Sequence, residues 1–183
     1  MILSKEKQQT TFEALSDTFG YKSRMAAPRV TKVIVSTGTG KKREAKQLEL
    51  IADRLARITG QKPSPRKAKQ SVASFKVREG DQVGFMVTLR GARMFDFLDK
   101  LIHIALPRTR DFRGIPKTAI DDVGNITIGI REHTIFPETA DEDLRDSFGF
   151  AVTIVTTAKG REEAEAFLRH LGLPLRVDGS TKR

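Results

Sequence analysis

The sequence predicts an α+β fold: a two-layer arrangement of a mainly antiparallel sheet with helices on one face. Three observations predict it. Apolar residues recur at helical spacing in four segments, they alternate at the two-residue spacing of strands in several others, and two of those strand-like segments are consecutive, joined by a short polar turn. Such a hairpin needs no helical crossover, so a purely parallel sheet is ruled out. At 183 residues the length suits one domain, expected over residues 1–177, with a polar tail at 178–183.

Residues 3–19 read as a helix, with Phe12, Leu15 and Phe19 three and four apart and Gly20 at its C-terminal cap. After a basic linker ending at Pro28, the Val- and Ile-rich run Arg29 to Thr37 reads as a strand, ended by Gly38-Thr39-Gly40. From Glu44 to Thr59, Leu48, Ile51, Leu55 and Ile58 draw one apolar stripe, stopped by Gly60. Pro63 and Pro65 follow, and then Val72 to Arg78 and Val83 to Arg90 read as a hairpin with an exposed tip at Glu79-Gly80-Asp81-Gln82. Met94, Phe97, Leu98, Leu101 and Ile104 place a second amphipathic helix between Gly91 and Pro107. Irregular basic chain runs through Lys117. Ile126, Ile128 and Ile130 alternate with polar or small residues as a strand with one buried face. An acidic loop, a strand-like run from Phe148 to Thr157 and a helix from Arg161 to Leu171 complete the chain.

Composition narrows the chemistry. Without cysteine, disulfides, thiolate zinc sites, iron–sulfur clusters and Cys nucleophiles are excluded. No window approaches the 18 consecutive apolar residues of a membrane span, and Glu, Gln and Lys interrupt the N-terminal stretch where a signal peptide needs an apolar core, so a soluble intracellular protein is expected. The net charge of +10 and pI near 10.1 attract polyanions, of which nucleic acid is the commonest inside cells. The charge is also segregated. Residues 22–46 carry eight basic side chains against Glu44 alone, and residues 60–93 carry eight against Glu79 and Asp81, whereas residues 132–147 hold six acidic side chains against Arg145. That acidic segment is either a solvated loop or a contact for a basic protein.

The hairpin pattern puts Ser74, Lys76 and Arg78 on one face, with Gly84, Met86, Thr88 and Arg90 from its partner and Thr127, Gly129 and Arg131 from the later strand. A sheet face of hydroxyl, small and cationic side chains suits ribose and phosphate: hydroxyls donate to oxygens, glycine permits close approach and arginine neutralises charge. The same pattern also fits an ordinary solvated sheet face.

Catalytic and cofactor sites do not assemble from this sequence. The turn Gly38 to Lys42 invites comparison with a phosphate-cradling loop, and a phosphate-binding enzyme using it is the alternative reading. Its spacing fails, because Val35 stands where the first glycine belongs, Lys42 where the magnesium-binding hydroxyl belongs, and Arg43 where a dinucleotide fingerprint needs its third glycine. His103, His133 and His170 lie in different elements without metal-ligand spacing, and Asp121-Asp122 and Asp141-Glu142-Asp143 lack the pattern of a calcium loop. Asn125-Ile126-Thr127 matches a glycosylation acceptor but lacks a secretory context. No cofactor, metal or enzyme activity is expected. A basic membrane-surface protein is disfavoured because the apolar helix stripes are needed for the core.

Specific residues carry a further resemblance. Gly60-Gln61-Lys62-Pro63, Arg66-Lys67-Ala68-Lys69-Gln70-Ser71-Val72-Ala73 with Phe75-Lys76, Val87-Thr88-Leu89-Arg90-Gly91, Ala105-Leu106-Pro107-Arg108, Arg110-Asp111-Phe112-Arg113-Gly114, Gly124-Asn125 and Ile135-Phe136-Pro137-Glu138 occur in this order. Over residues 12–175 the chain closely resembles the family of large-subunit ribosomal protein five in its bacterial form. The resemblance implies a two-layer sandwich whose free concave sheet face grips 5S rRNA in the central protuberance of the large subunit, beside 23S rRNA and neighbouring large-subunit proteins, in the cytoplasm and without a membrane partner. It assigns rRNA binding to Ser36, Gln61 and Thr88, with Lys62, Lys69 and Arg90 in support. It maps a loop that reaches the P-site tRNA onto Val77 to Gly84, hence Arg78, Glu79, Gly80, Asp81 and Gln82. It also implies an intersubunit bridge to a basic protein of the small-subunit head, through Arg110, Arg113, Glu138, Asp141, Glu142 and Asp143. Three positions depart from the family pattern: Ser36 replaces the usual Asn, Ile126 an aromatic and His133 a Gln.

Overall fold

A computed structural model describes residues 3–40, 44–110, 112–139 and 147–176. Five strands, β1 (Val30–Gly38), β2 (Ser64–Lys67), β3 (Gln82–Leu89), β4 (Ile126–Ile130) and β5 (Phe150–Thr156), form one sheet in the order β2-β3-β1-β5-β4. β2 and β3 are antiparallel. So are β1 and β5, where Arg29 exchanges bonds with Thr157 at one end and Thr37 bonds Gly149 at the other. From Val33 onward in β1, and throughout β4 and β5, a buried face alternates with a half-open or exposed one, the signature of a sheet covered on one side. The helices are α1 (Ser4–Gln9), α2 (Thr11–Phe19), α3 (Ala45–Thr59), α4 (Ala92–Lys100), α5 (Leu106–Arg108) and α6 (Arg161–Leu171), with a π-helical turn, Leu101–Ala105, joining α4 to α5. The fold class is the expected α+β.

The chain divides into two compact units, one comprising residues 1–33, 90–128 and 153–183, the other 34–89 and 129–152. In the first, α1 packs on α4 and α6, and α2 on α6. Leu98, Leu101, Phe167 and Leu168 are fully buried there, each contributing about 1.5–3 kcal/mol by leaving water. Polar contacts fix the register of the helices: Asp99 accepts from both the amide and the hydroxyl of Ser4, and Lys7 donates to the carbonyl of Leu171 at the C-terminal end of α6, where a cation is favoured. In the second unit α3 packs on β3 and on the turn Pro137–Thr139. Ile51, Leu55 and Ile58 of its stripe are buried, Phe136 packs near Phe150, and the His133 ring stacks on Phe148 at 4.5 Å. Gly60, at φ +68, ends α3 in the left-handed conformation and donates to the carbonyl of Ala56.

Four expectations are corrected. The N-terminal helix is two helices broken at Thr10, whose hydroxyl bonds the carbonyl of Lys7 and competes with helix propagation. The partner of β3 is Ser64–Lys67, not Val72–Arg78. A proline is tolerated on an edge strand, so Pro65 sits in β2, while Ala73–Phe75 forms a 3₁₀ turn closed by Lys76 at φ +52. The hairpin tip therefore lies not at Glu79–Gln82 but within a longer excursion, residues 68–81. Finally, Ile104 is 42% exposed although Leu101 is buried, because the π-helical turn inserts an extra residue and rotates Ile104 off the α4 stripe. The expected tail at 178–183 lies outside the described residues.

Candidate nucleic-acid interface

In the second unit, strand alternation decides which side chains face away from the core. β1 buries Val35 and Thr37 and leaves Ile34 and Ser36 half-open; β3 buries Phe85, Val87 and Leu89 and leaves Met86 and Thr88 half-open. The β2 register pairs Ser64 with Met86 and Arg66 with Gly84, so the open face extends onto two exposed residues of β2. Arg66 reaches across toward the Met86 sulfur, 3.8 Å away, laying its stem over an apolar side chain and leaving charge at the surface. Ser36 and Thr88 thus occupy the open faces of neighbouring strands.

Gly84 makes this juxtaposition of β1 and β3 possible. A Cβ there would collide with the Thr37 carbonyl oxygen, and beside it Thr39 donates its amide to the carbonyl of Val83. That bond also bears on the alternative phosphate-loop reading. A phosphate cradle needs backbone N–H groups turned toward a ligand, whereas the Thr39 amide is spent in pairing with β3. Lys41, Lys42 and Arg43 lie outside the described residues.

Gln61 and Lys62 occupy the connection from α3 to β2, Gln61 half-open and Lys62 exposed. Thr59 holds this corner, its hydroxyl bonding the carbonyls of Leu55 and Gln61 at 2.6 and 3.1 Å. Arg90, just past β3, is exposed and falls in the first unit. Lys69 is exposed at the start of the 68–81 excursion. Ser74, Lys76 and Arg78, expected on the sheet face, project instead from this excursion.

The excursion is cross-linked along its length. Ala68 donates to the carbonyl of Asp81 and accepts from Gly80, while Val72 and Val77 exchange both backbone bonds. The Glu79 amide donates to the Ser71 hydroxyl, and the Arg78 amide to the Asp81 carboxylate. The acidic Asp81 thus has a structural task at the base of the loop. Lys69, Lys76 and Arg78 are exposed on it beside the exposed Glu79, so cations outnumber acids on the loop's surface. Of the residues expected to form a bridge, Arg110 and Arg113 are exposed in the first unit and Glu138 in the second. Asp141, Glu142 and Asp143 lie outside the described residues.

Two features escaped sequence reasoning. Ser64 and Arg66 join the open face through a strand hidden by its prolines, and alternation around Pro65 was the available signal. Arg54 of α3 is only 5% exposed on a helix stripe otherwise apolar, with no pattern to announce it.

Among the described residues no helix is long and apolar enough to cross a membrane, and no cluster of side chains suits a metal ion. Residues 23–78 match the family model described as ribosomal protein L5, and residues 82–175 match the model of the C-terminus of the same ribosomal family. The large ribosomal subunit protein uL5 of Halothermothrix orenii is 44% identical over 174 residues, covering 94% of this chain and 97% of that protein. The large ribosomal subunit protein uL5 of Streptococcus pneumoniae, strain Hungary19A-6, is 48% identical over 162 residues, covering 88% and 90%. With two consecutive family models covering most of the chain and relatives matched almost end to end, the chain belongs to the ribosomal protein L5 family.

Proposed function

We propose that this protein binds 5S rRNA through the open face of β1, β2 and β3. As a ribosomal protein of the L5 family it is a structural component of the large subunit and not an enzyme, with ribosomal RNA and ribosomal proteins as partners in the cytoplasm. The observation that carries the 5S reading is that the neighbouring strands β1 and β3 each leave a hydroxyl half-open, Ser36 and Thr88, in the unit that also exposes Lys62 and Arg66. Hydroxyls held at fixed spacing read the ribose and phosphate contour of a folded RNA, and the surrounding cations neutralise its backbone. Gln61 adds an amide at the corner fixed by Thr59, and Lys69 and Arg90 add further positive charge.

Two further contacts belong to the same reading. The 68–81 excursion, together with Gln82 at the start of β3, reaches the P-site tRNA through Arg78 and its neighbours Glu79, Gly80 and Asp81. Arg110, Arg113, Glu138 and the acidic residues Asp141, Glu142 and Asp143 meet a basic protein of the small-subunit head, for which the acidic run supplies complementary charge.

The test is binding of purified protein to 5S rRNA beside a structured control RNA of equal length. Thr88→Val and Ser36→Ala are each expected to weaken 5S binding by about 1 kcal/mol, the scale of one hydrogen bond lost at a desolvated site, with no change on the control. Full 5S affinity in both variants would remove the open face from the mechanism.

A further inference from the structure

Among the described residues Met25, Phe75 and Val123 are the most exposed large apolar side chains, at 83%, 75% and 69%, and only Phe75 offers a flat aromatic face. It sits at the far end of the 68–81 excursion, in the 3₁₀ turn Ala73–Phe75. Its amide donates to the carbonyl of Val72, and the next residue, Lys76, takes up φ +52 while donating to the carbonyl of Ala73. A non-glycine residue in the left-handed region costs about 1 kcal/mol or more, so the turn that presents the ring is held by its surroundings, the paired Val72 and Val77 behind it. Lys69, Lys76 and Arg78 are exposed on the same excursion. A rigidly presented aromatic ring among cations is the chemistry that binds an unstacked nucleobase, the ring meeting the base's π face and the cations its flanking phosphates.

We propose that Phe75 stacks on an exposed nucleobase of the P-site tRNA, making the tip of the excursion an aromatic platform in addition to a phosphate contact. The inference rests on the reading of this excursion as the tRNA-contacting loop, and adds the residue and the mode of contact. Positive charge alone would hold the RNA backbone at the loop without fixing it; the ring fixes one nucleotide.

The test is the dissociation rate of P-site tRNA from ribosomes reconstituted with Phe75→Leu, Phe75→Trp, or the double charge variant Lys69→Gln/Arg78→Gln. Leucine keeps apolar bulk but has no π face, and tryptophan keeps the face. Phe75→Leu is expected to speed release at least about fivefold, the lower end of the effect of losing one base–aromatic stack, with Phe75→Trp at or below the unmodified rate. Melting of the free protein should be the same in all variants, since the ring is exposed, so a change in release reports the contact and not the fold. If Phe75→Leu releases tRNA at the unmodified rate while the charge variant releases it faster, the loop contact stands and stacking falls. Faster release from leucine and tryptophan variants alike would also overturn stacking. Unchanged release in every variant would remove both the stacking and the loop contact on which it rests.

Discussion

Asp121 is an exposed carboxylate that organises a turn by hydrogen bonding alone. Its Oδ1 accepts from the amides of Val123 and Asn125, at 3.1 and 2.6 Å, and its Oδ2 from the Asn125 side-chain amide at 2.9 Å. Asn125 in turn accepts from the Thr156 amide, and the Thr156 hydroxyl bonds the carbonyl of Gly124, so the turn is tied to the end of β5. Desolvation, the largest single influence, pushes the Asp121 carboxyl up, but the bonds from the Asn125 side chain and from the amides of Asn125, Val123 and Gly124 together outweigh it and hold it below its ordinary value of 3.8. A carboxyl depressed in the folded state contributes stability that is present above the unfolded value and lost as pH falls through the folded one. The stability gap between the native chain and Asp121→Asn should therefore be constant above about pH 5 and shrink progressively as pH falls below about 4. Because the group is exposed, the gap itself is small, under about 1 kcal/mol. Urea unfolding from pH 6 to pH 2.5 measures it, and a gap that stays constant to the lowest pH would show that the charge on Asp121 does not organise the turn.

At the scale of the element, the helical segment from Ala92 to Arg108 shows what a one-residue change of phase does. Met94, Phe97, Leu98 and Leu101 follow one buried stripe, and the π-helical turn then turns Ile104 outward while Ala105 and Leu106 go in. Leu101→Ala should cost about 2–5 kcal/mol as a core truncation, whereas Ile104→Lys should fall within about 0.5 kcal/mol of neutral. Equal losses in chemical denaturation would mean that the segment is regular α-helix and that Ile104 is buried with the rest. This difference also marks the limit of reading the sequence. α3, α6 and β4 were legible because their apolar spacing keeps one period from end to end. Ile104 was misplaced because a period cannot report its own interruption, and β2 was missed because Pro63 and Pro65 look like linker when the deciding fact, an edge position, is a property of the sheet. Of the candidate interface, Thr88 was legible from alternation, whereas Gln61 and Lys62 rested on resemblance. Phe75 was read into a strand face, because only the turn at Ala73–Phe75 and the left-handed Lys76 put it at the end of an excursion.

At the scale of the molecule, two kinds of RNA recognition should separate by their response to salt. Cations at the surface release condensed counterions when they meet phosphates, and this contribution falls linearly with the logarithm of salt concentration whatever the RNA sequence. Half-open hydroxyls such as Ser36 and Thr88 carry no charge, so their contribution does not follow that law. The basic segment from residue 60 to 93 exceeds its acids by six charges, and if these meet phosphates the binding curve should fall with a log–log slope of about −4 to −5. Lys62→Gln together with Lys69→Gln should make that slope shallower by about 1.5, equally for 5S rRNA and for a structured control. Thr88→Val should lower 5S affinity at every salt concentration and leave the slope unchanged. Parallel loss of slope in the threonine variant, or loss of 5S preference in the lysine variant, would mean that charge and shape are read by the same residues. Retention of the two separate signatures would assign grip to the segregated basic segment and selectivity to the open face of the strands.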